Sequence, residues 1–418
     1  MNDGFCVLPW ISVHLDSQGK RRLCCVAETA PPETQKLSYD DFLRSDYLKK
    51  IRSEMLSGKL PADCQACSRS HGRKHTYRTE INKRFEQFIP AIAAAELQPW
   101  KILSVDYRSP LCNLVCKTCG PEQSTSWTKK IRTNPILREL FDPEKMKVLE
   151  ATQKNYHYQN EFARILEAEQ GIRELFFAGG EPLMVPQHRQ WLKSLVDAER
   201  AGSIRLIYNT NFTLKREAIQ DLIEIWKHFA EVDLLISVDG TEDRLEYIRT
   251  GISHAAFEEN IKSLGAQVVG TKIYPMFQIT TSSILFTQLE AMANFLWEKR
   301  WPYQMHFMQI GYVIGMYLRI EFLPSKFRQE KVDQFQSIFA GYCEEKKQFL
   351  RPFLMHLQQT IDLPEFSENE LRLGILQMDA TDQAFGKSFR TFFRDEEIRS
   401  IFAERLGPLP IGQPANSL

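Results

Sequence analysis

Residues 109–121 read SPLCNLVCKTCGP and directly follow an apolar run, Ile102–Tyr107, that predicts a strand. The stretch therefore sets Cys112, Cys116 and Cys119 on one loop at a strand end. Three thiolates this close can bind three irons of a cubane and leave the fourth iron without a protein ligand; thiolates are the expected ligands of iron–sulfur clusters. An open coordination position separates a catalytic metal site from a structural one, a rule stated for zinc that carries over.

Outward from this loop, short apolar strands alternate with amphipathic helices. Strands are expected at Ile102–Tyr107, Glu174–Ala178, Ile204–Asn209, Val232–Val238, Lys272–Thr280 and Gln304–Gln309. Helices fit between them, at Gln187–Arg200, Lys215–His228, Ala255–Leu264 and Thr287–Lys299. Such repetition implies an α/β fold with a parallel sheet and helices outside, in which ligands bind at the carboxyl ends of the strands. Upstream, Ile11, Val13 and Leu15 alternate as one strand face, Asp16–Gly19 reads as a turn, and Lys20–Cys25 is expected to return as the partner strand. A helix follows near Tyr39–Leu56. Beyond residue 320 the pattern is helical, clearest at Lys326–Gln358 and Glu368–Met378, and the terminal GPLPIGQPANSL reads as a frayed tail.

The chain of 418 residues is too long for one ordinary core, so two or three domains are expected. Lys plus Arg (53) equals Asp plus Glu (53), which leaves no basic footprint, and a nucleic-acid partner is not expected. MNDGFCVLPW lacks a signal pattern and no run approaches eighteen apolar residues, so the expectation is a soluble cytoplasmic protein with no membrane partner. In a reducing compartment, the nine cysteines, eight of them within the first 119 residues, point to metal or redox chemistry rather than disulfides. Cys343, alone in a helical context, is expected to be a small buried apolar residue.

The triplet, together with Gly179-Gly180-Glu181-Pro182 after the second predicted strand of the sheet, resembles the radical S-adenosylmethionine (SAM) superfamily. The family pattern is Cys-x3-Cys-x-aromatic-Cys; Thr118 stands at the aromatic position here. The resemblance implies a partial (β/α)6 barrel over residues 96–320 whose [4Fe–4S] cluster chelates the SAM methionine group through its open iron. SAM is then cleaved to methionine and a 5′-deoxyadenosyl radical, which abstracts a substrate hydrogen, an oxidoreductase chemistry that belongs to the cofactor. It also implies that Gly179, Gly180 and Glu181 hold the methionine amino group. Thr210-Asn211-Phe212-Thr213 resembles the family's Thr-Asn-Gly-Thr. Ser237 and Asp239 would meet the ribose. Arg249 matches an arginine that pairs with the SAM carboxylate; a solvated surface arginine is the other reading. Thr280, Thr281 and Ser283 either line the cavity or are plain strand-end residues.

Cys6, Gly19-x4-Cys24 and Cys64-x2-Cys67, with Pro9-Trp10 after the first cysteine, resemble SPASM or twitch auxiliary-cluster domains. Such a module, a small α+β domain over residues 1–95, would close a second [4Fe–4S] cluster for electron transfer or support, and here it precedes the barrel. Cys25 could replace Cys24, but strand residues alternate faces and the spacing favours Cys24. His71 and His75 could share a helix face; SRSHGRKHTYR reads rather as a solvated basic loop. Residues 321–418 form a helical C-terminal region without an assigned role. By family analogy the substrate is a peptide or protein, or alternatively a small alcohol, sugar or other metabolite, and an external electron donor such as flavodoxin or ferredoxin is implied. No individual catalytic residue is assigned. The rival reading is a non-enzymatic zinc-binding module in which Cys64, Cys67, Cys116 and Cys119 share one ion. The gap between its pairs far exceeds the usual spacing of about 15–20 residues, and Cys6, Cys24 and Cys112 stay idle.

Overall fold

The computed structural model describes residues 4–68, 77–154, 156, 158–300, 302–309, 315–394, 397 and 401. The predicted tail and the pair His71 and His75 lie outside the described residues. Two compact units emerge. The first comprises Met1–Pro110, Thr152–Tyr208 and His228–Val232; the second comprises Leu111–Ala151, Asn209–Lys227 and Asp233–Leu418.

The architecture is mixed α/β with seven strands: β1 Ser12–Leu15, β2 Ser104–Ser109, β3 Glu174–Gly179, β4 Arg205–Thr210, β5 Glu231–Ser237, β6 Ile273–Thr281 and β7 Gln304–Gln309. Strand order follows chain order. In the first unit β1–β2, β2–β3 and β3–β4 pair in parallel, and in the second β6 pairs in parallel with β7. Six strands thus fall within two residues of their expected places.

The strands sort their side chains by alternation. In β2, Tyr107 packs between Phe162 and Trp191 of the helices Tyr158–Ala168 and His188–Asp197, with ring centroids 4.9 and 5.2 Å away. Its neighbours Asp106 and Arg108 point to the opposite face and pair with each other. In β6, Phe277 stacks on Tyr303 at 4.5 Å. One face of the strands is therefore apolar and covered by helices, and the other carries polar groups.

Three expectations are corrected. β1 is not half of a hairpin: it pairs in parallel with β2, Ser12 opposite Ser104. The turn forms, with the Gly19 N–H donating to the Asp16 carbonyl and Gly19 at φ 69°, but Lys20–Cys25 makes only the isolated bridge Leu15–Arg21, and Arg22 bridges Thr29. The returning segment spends its polar groups elsewhere. The Arg21 N–H donates to Gln35 Oε1 at 2.8 Å, and its guanidinium donates to the Leu37 carbonyl and pairs with Glu161. Downstream, the expected long helix breaks at Gly341–Cys343 into Ser325–Ala340 and Glu344–Ile361, and Cys343 is exposed at the N-cap of the second. Helices at Thr125–Thr133, Pro143–Lys154 and Tyr158–Ala168 fill the stretch before β3. No described helix is long and apolar enough to cross a membrane.

The segment after Cys6 is pinned from beneath. Arg52, fully buried, donates from Nε and Nη2 to the Pro9 carbonyl at 3.1 and 2.6 Å and from Nη1 to the Leu97 carbonyl at 2.9 Å. Asn82 brackets the cysteine, accepting from the Val7 N–H and donating to the Phe5 carbonyl. Arg52→Met keeps the bulk and removes the donors, leaving buried carbonyls unpartnered. It should cost about 1.5–3 kcal/mol, read as a lower midpoint in urea unfolding.

Candidate metal centre

In the second unit the cysteine loop is held by its backbone. The helix Thr125–Thr133 and its N-cap take the carbonyls: Ser126 Oγ donates to Cys112 O at 2.7 Å, Ser124 Oγ to Leu114 O at 2.9 Å, and Trp127 Nε1 to Cys116 O at 2.8 Å. The loop's N–H groups are taken as well. Cys112 donates to Thr125 Oγ1, Val115 to the Thr250 carbonyl at 3.0 Å, and Lys117 to the Ile248 carbonyl at 2.7 Å.

With the backbone occupied, the thiols project together. Burial pushes Cys116 well above the ordinary thiol range, although Arg249 opposes this, and Cys112 and Cys119 push it further. Burial and Cys112 likewise push Cys119 up to about 12. The Leu114 N–H points at Cys112 Sγ at 3.5 Å, and Arg249 Nη1 lies 3.9 Å from Cys116 Sγ. N–H groups aimed at sulfur and a nearby cation suit thiolates that carry a cluster, because they offset its negative charge. Among the described residues no group of three or more His, Cys, Asp or Glu could hold a single metal ion. Ligands of one zinc must meet about 2.3 Å from a common point, whereas each thiolate of a cubane meets its own iron.

The strand ends arrange the other expected residues of this unit. Asn211 donates to Asn113 Oδ1 at 3.0 Å, and its amide nitrogen lies 4.0 Å from Cys112 Sγ. Phe212, where the resembled pattern has glycine, keeps a left-handed φ of 55° and is fully buried. The turn geometry survives the substitution because Thr210 Oγ1 accepts its N–H and Asn260 donates to its carbonyl. Asp239 and Arg249 are joined: Nη2 lies 2.8 Å from Oδ2, both side chains buried, and Asp239 Oδ1 accepts the Thr280 N–H. Arg249 is thus no solvated surface arginine; burial alone would lower its pKa, but Asp239 and Cys116 raise it. Arg249 Nε, just after the helix Glu242–Ile248, is buried without a hydrogen-bond partner, as are Asn209 Oδ1 in β4 and Gln278 Oε1 in β6. Ser237 is buried at the end of β5. Thr281 and Ser283 serve packing, through His356 Nε2 at 2.6 Å and the Tyr317 carbonyl at 2.7 Å.

The first unit holds the remainder. A Cβ on Gly179 (φ 100°) would sit 2.4 Å from the Ser109 carbonyl oxygen, and the Gly180 N–H donates to that same oxygen. The glycine pair therefore lets the end of β3 close on the end of β2. Glu181, fully buried, accepts the Leu183 N–H. Cys6, pushed up to about 12 by burial, accepts the Leu8 N–H and is raised further by Cys64 and Cys67. Cys24 is raised by burial, then by Cys25 and Cys6, while the Val26 and Ala27 N–H groups bond its sulfur. Cys25 looks the other way: burial raises it, Arg108 lowers it, Asp106 raises it, and Tyr77 bonds its sulfur. Sequence reasoning missed this second surrounding. Asp106 binds Arg108 at 3.0 and 3.2 Å and His14 Nδ1 at 2.9 Å; burial would raise its pKa, but these two hold it at about 2. The i, i+2 spacing of Asp106 and Arg108 in a strand was the available signal. Lys117, also missed, is wholly buried, and desolvation lowers its pKa to about 7.

No family model matches the chain, and no curated protein does. Solved structures do. The chain is similar to native anSMEcpe with bound AdoMet and Cp18Cys peptide: 15% identity, 57% of this chain and 61% of that one, TM-score 0.34. It is also similar to Streptococcus suis SuiB bound to S-adenosylmethionine: 14% identity, 64% of this chain and 52% of that one, TM-score 0.33. Both of those structures have S-adenosylmethionine bound. The matches span about half to three fifths of those chains. At these TM-scores the likeness decides nothing about this chain's chemistry, which rests on its own residues.

Asp239→Ala should strand the Arg249 guanidinium in the interior. The expected loss is about 3–5 kcal/mol, the cost of removing one partner of a buried ion pair, measured by denaturant unfolding of the metal-free chain. The double variant Asp239→Ala with Arg249→Met should recover part of it.

Proposed function

We propose that this chain is a radical SAM enzyme in which Cys112, Cys116 and Cys119 hold a [4Fe–4S] cluster with one iron left open to SAM. The observation that carries the reading is the loop: its carbonyls and N–H groups are engaged by neighbours, while Cys112 lies close enough to raise the pKa of both Cys116 and Cys119. When bound, such a cluster supplies the electron that splits SAM into methionine and a 5′-deoxyadenosyl radical, the species that removes a hydrogen from the substrate. The protein's part is to position and to neutralise. Arg249, held by Asp239, offsets negative charge beside Cys116. Asn211, Ser237 and Asp239 are the polar groups for SAM at the strand ends, and Gly179, Gly180 and Glu181 are assigned to its methionine amino group. Metal binding must displace the thiol protons that burial favours, so cluster assembly and deprotonation are coupled.

Cys6, Cys24, Cys64 and Cys67 are the ligands we assign to a second, closed [4Fe–4S] cluster. What supports Cys24 over Cys25 is its electrostatic coupling to Cys6, against the pairing of Cys25 with Arg108 and Tyr77. We assign an oxidoreductase role acting on a peptide or protein, a one-electron donor such as flavodoxin or ferredoxin, and a reducing cytoplasm that keeps the cysteines as thiols.

Anaerobically reconstituted protein should hold about eight irons, two cubanes' worth. Replacing Cys112, Cys116 and Cys119 together with Ala should remove about half of them and abolish 5′-deoxyadenosine formation under reducing conditions. SAM cleavage that persists in this variant would overturn the assignment. With Cys64→Ala and Cys67→Ala the SAM-dependent spectral change should survive while turnover of the true substrate falls. Loss of that change in a folded protein would end the case for two independent clusters.

A further inference from the structure

We infer that Lys117 is a positioning residue: its buried ammonium ties the cysteine loop to the C-terminal helix Glu368–Phe385, so that the last part of the chain sets the geometry of the metal centre. The inference rests on the reading of Cys112, Cys116 and Cys119 as cluster ligands.

Lysine is almost never fully buried unless its charge is met, yet Lys117 is 0% exposed. Its Nζ donates to the Tyr247 carbonyl at 2.9 Å and to Thr250 Oγ1 at 3.0 Å. The ammonium also faces two aromatic rings, Tyr247 at 4.0 Å and Phe385 at 4.7 Å from their centroids. An ammonium has three donors, and ring faces attract what the oxygens leave. The residue directly after the second cysteine thus turns inward as an anchor.

Phe385 ends its helix and does two things at once. It covers the ammonium, and it meets Trp127 edge-on at 5.7 Å, the same Trp127 whose indole N–H holds Cys116 O. One turn earlier, Asp382 accepts the Tyr247 hydroxyl at 2.6 Å and the Phe389 N–H at 2.7 Å, fixing the ring that lies over Lys117. Tyr317 completes the group through Tyr247 Oη at 3.3 Å and Thr381 Oγ1 at 2.9 Å. The helix therefore grips the loop at two points just after Cys116, by the side chain at 117 and through Trp127 at the Cys116 carbonyl.

The test uses the full-length reconstituted protein and follows the SAM-sensitive EPR signal as a chelator strips iron. Lys117→Met keeps length and bulk but removes the donors. It should speed loss of that signal roughly 10–100-fold, the usual effect of removing a group that orients a metal ligand, and alter the line shape. Tyr317→Phe disturbs the same hydrogen-bonded group without touching the loop; it should lower the unfolding temperature and leave signal and decay unchanged. If Lys117→Met fails to fold, Phe385→Leu, which uncovers one side of the ammonium, should give the same acceleration in smaller measure. Unchanged decay and line shape in the Lys117 or Phe385 variant overturn the inference, and so does an equal acceleration by Tyr317→Phe. Absence of any SAM-sensitive signal in the unsubstituted protein overturns the cluster reading itself, a separate and earlier failure.

Discussion

A loop that presents three thiols to one centre has to satisfy its backbone without using them, and the rest of the second unit follows from that constraint. Three carbonyls and three N–H groups between Cys112 and Lys117 need partners. Here Ser124, Ser126 and Trp127 answer the carbonyls, while Thr125, Thr250 and Ile248 answer the N–H groups. Each bond is worth only about 0.5–1.5 kcal/mol net. Their number and their origin in two separate segments make the loop a single conformation rather than a flexible strand of ligands.

Charge follows the same economy in both units. Beside Cys116 stands Arg249, already matched by Asp239; beside Cys25 stands Arg108, already matched by Asp106. An unpaired guanidinium in such places would be costly to desolvate, and a carboxylate alone would oppose thiolate formation. Pairing the two first lets a positive edge lie against sulfur while the local net charge stays small. The same logic explains why Asp239, expected at a ribose, is so thoroughly engaged within the protein: its first partner is an arginine.

The sheet was legible because its strands are short apolar runs with turn residues at their ends, and parallel strands buried between helices carry that signal strongly. The triplet's place on the loop after β2 was legible from the cysteine spacing, whereas the strand-end polar residues were named from the family resemblance. The helix Thr125–Thr133 was not, although QSTSWTKKI offers Ser124 as an N-cap, because a run of Ser and Thr reads as loop by propensity. Lys117 was hidden for a related reason: lysine is read as surface, and only the coincidence of a carbonyl, a hydroxyl and two rings from distant segments overrules that prior. The return strand after Gly19 failed because Gln35, Leu37 and Glu161, remote in sequence, compete for Arg21.

That failure has a consequence for the two adjacent cysteines. Between Gly19 and Thr29 no continuous ladder fixes the register; two isolated bridges and the side-chain anchors of Arg21 do. Cys24 and Cys25 lie in a turn closed by the Ala27 N–H on the Cys24 carbonyl, and they have different surroundings, so a shift of one position would exchange them, handing the thiol coupled to Cys6 to the arginine pocket and the reverse. Which of the two thiols faces Cys6 is therefore held by a guanidinium three residues upstream of Cys24 rather than by either thiol. In evolutionary terms a one-residue insertion or deletion here, usually harmless in a loop, would rewire which sulfur meets which partner while leaving every cysteine in place.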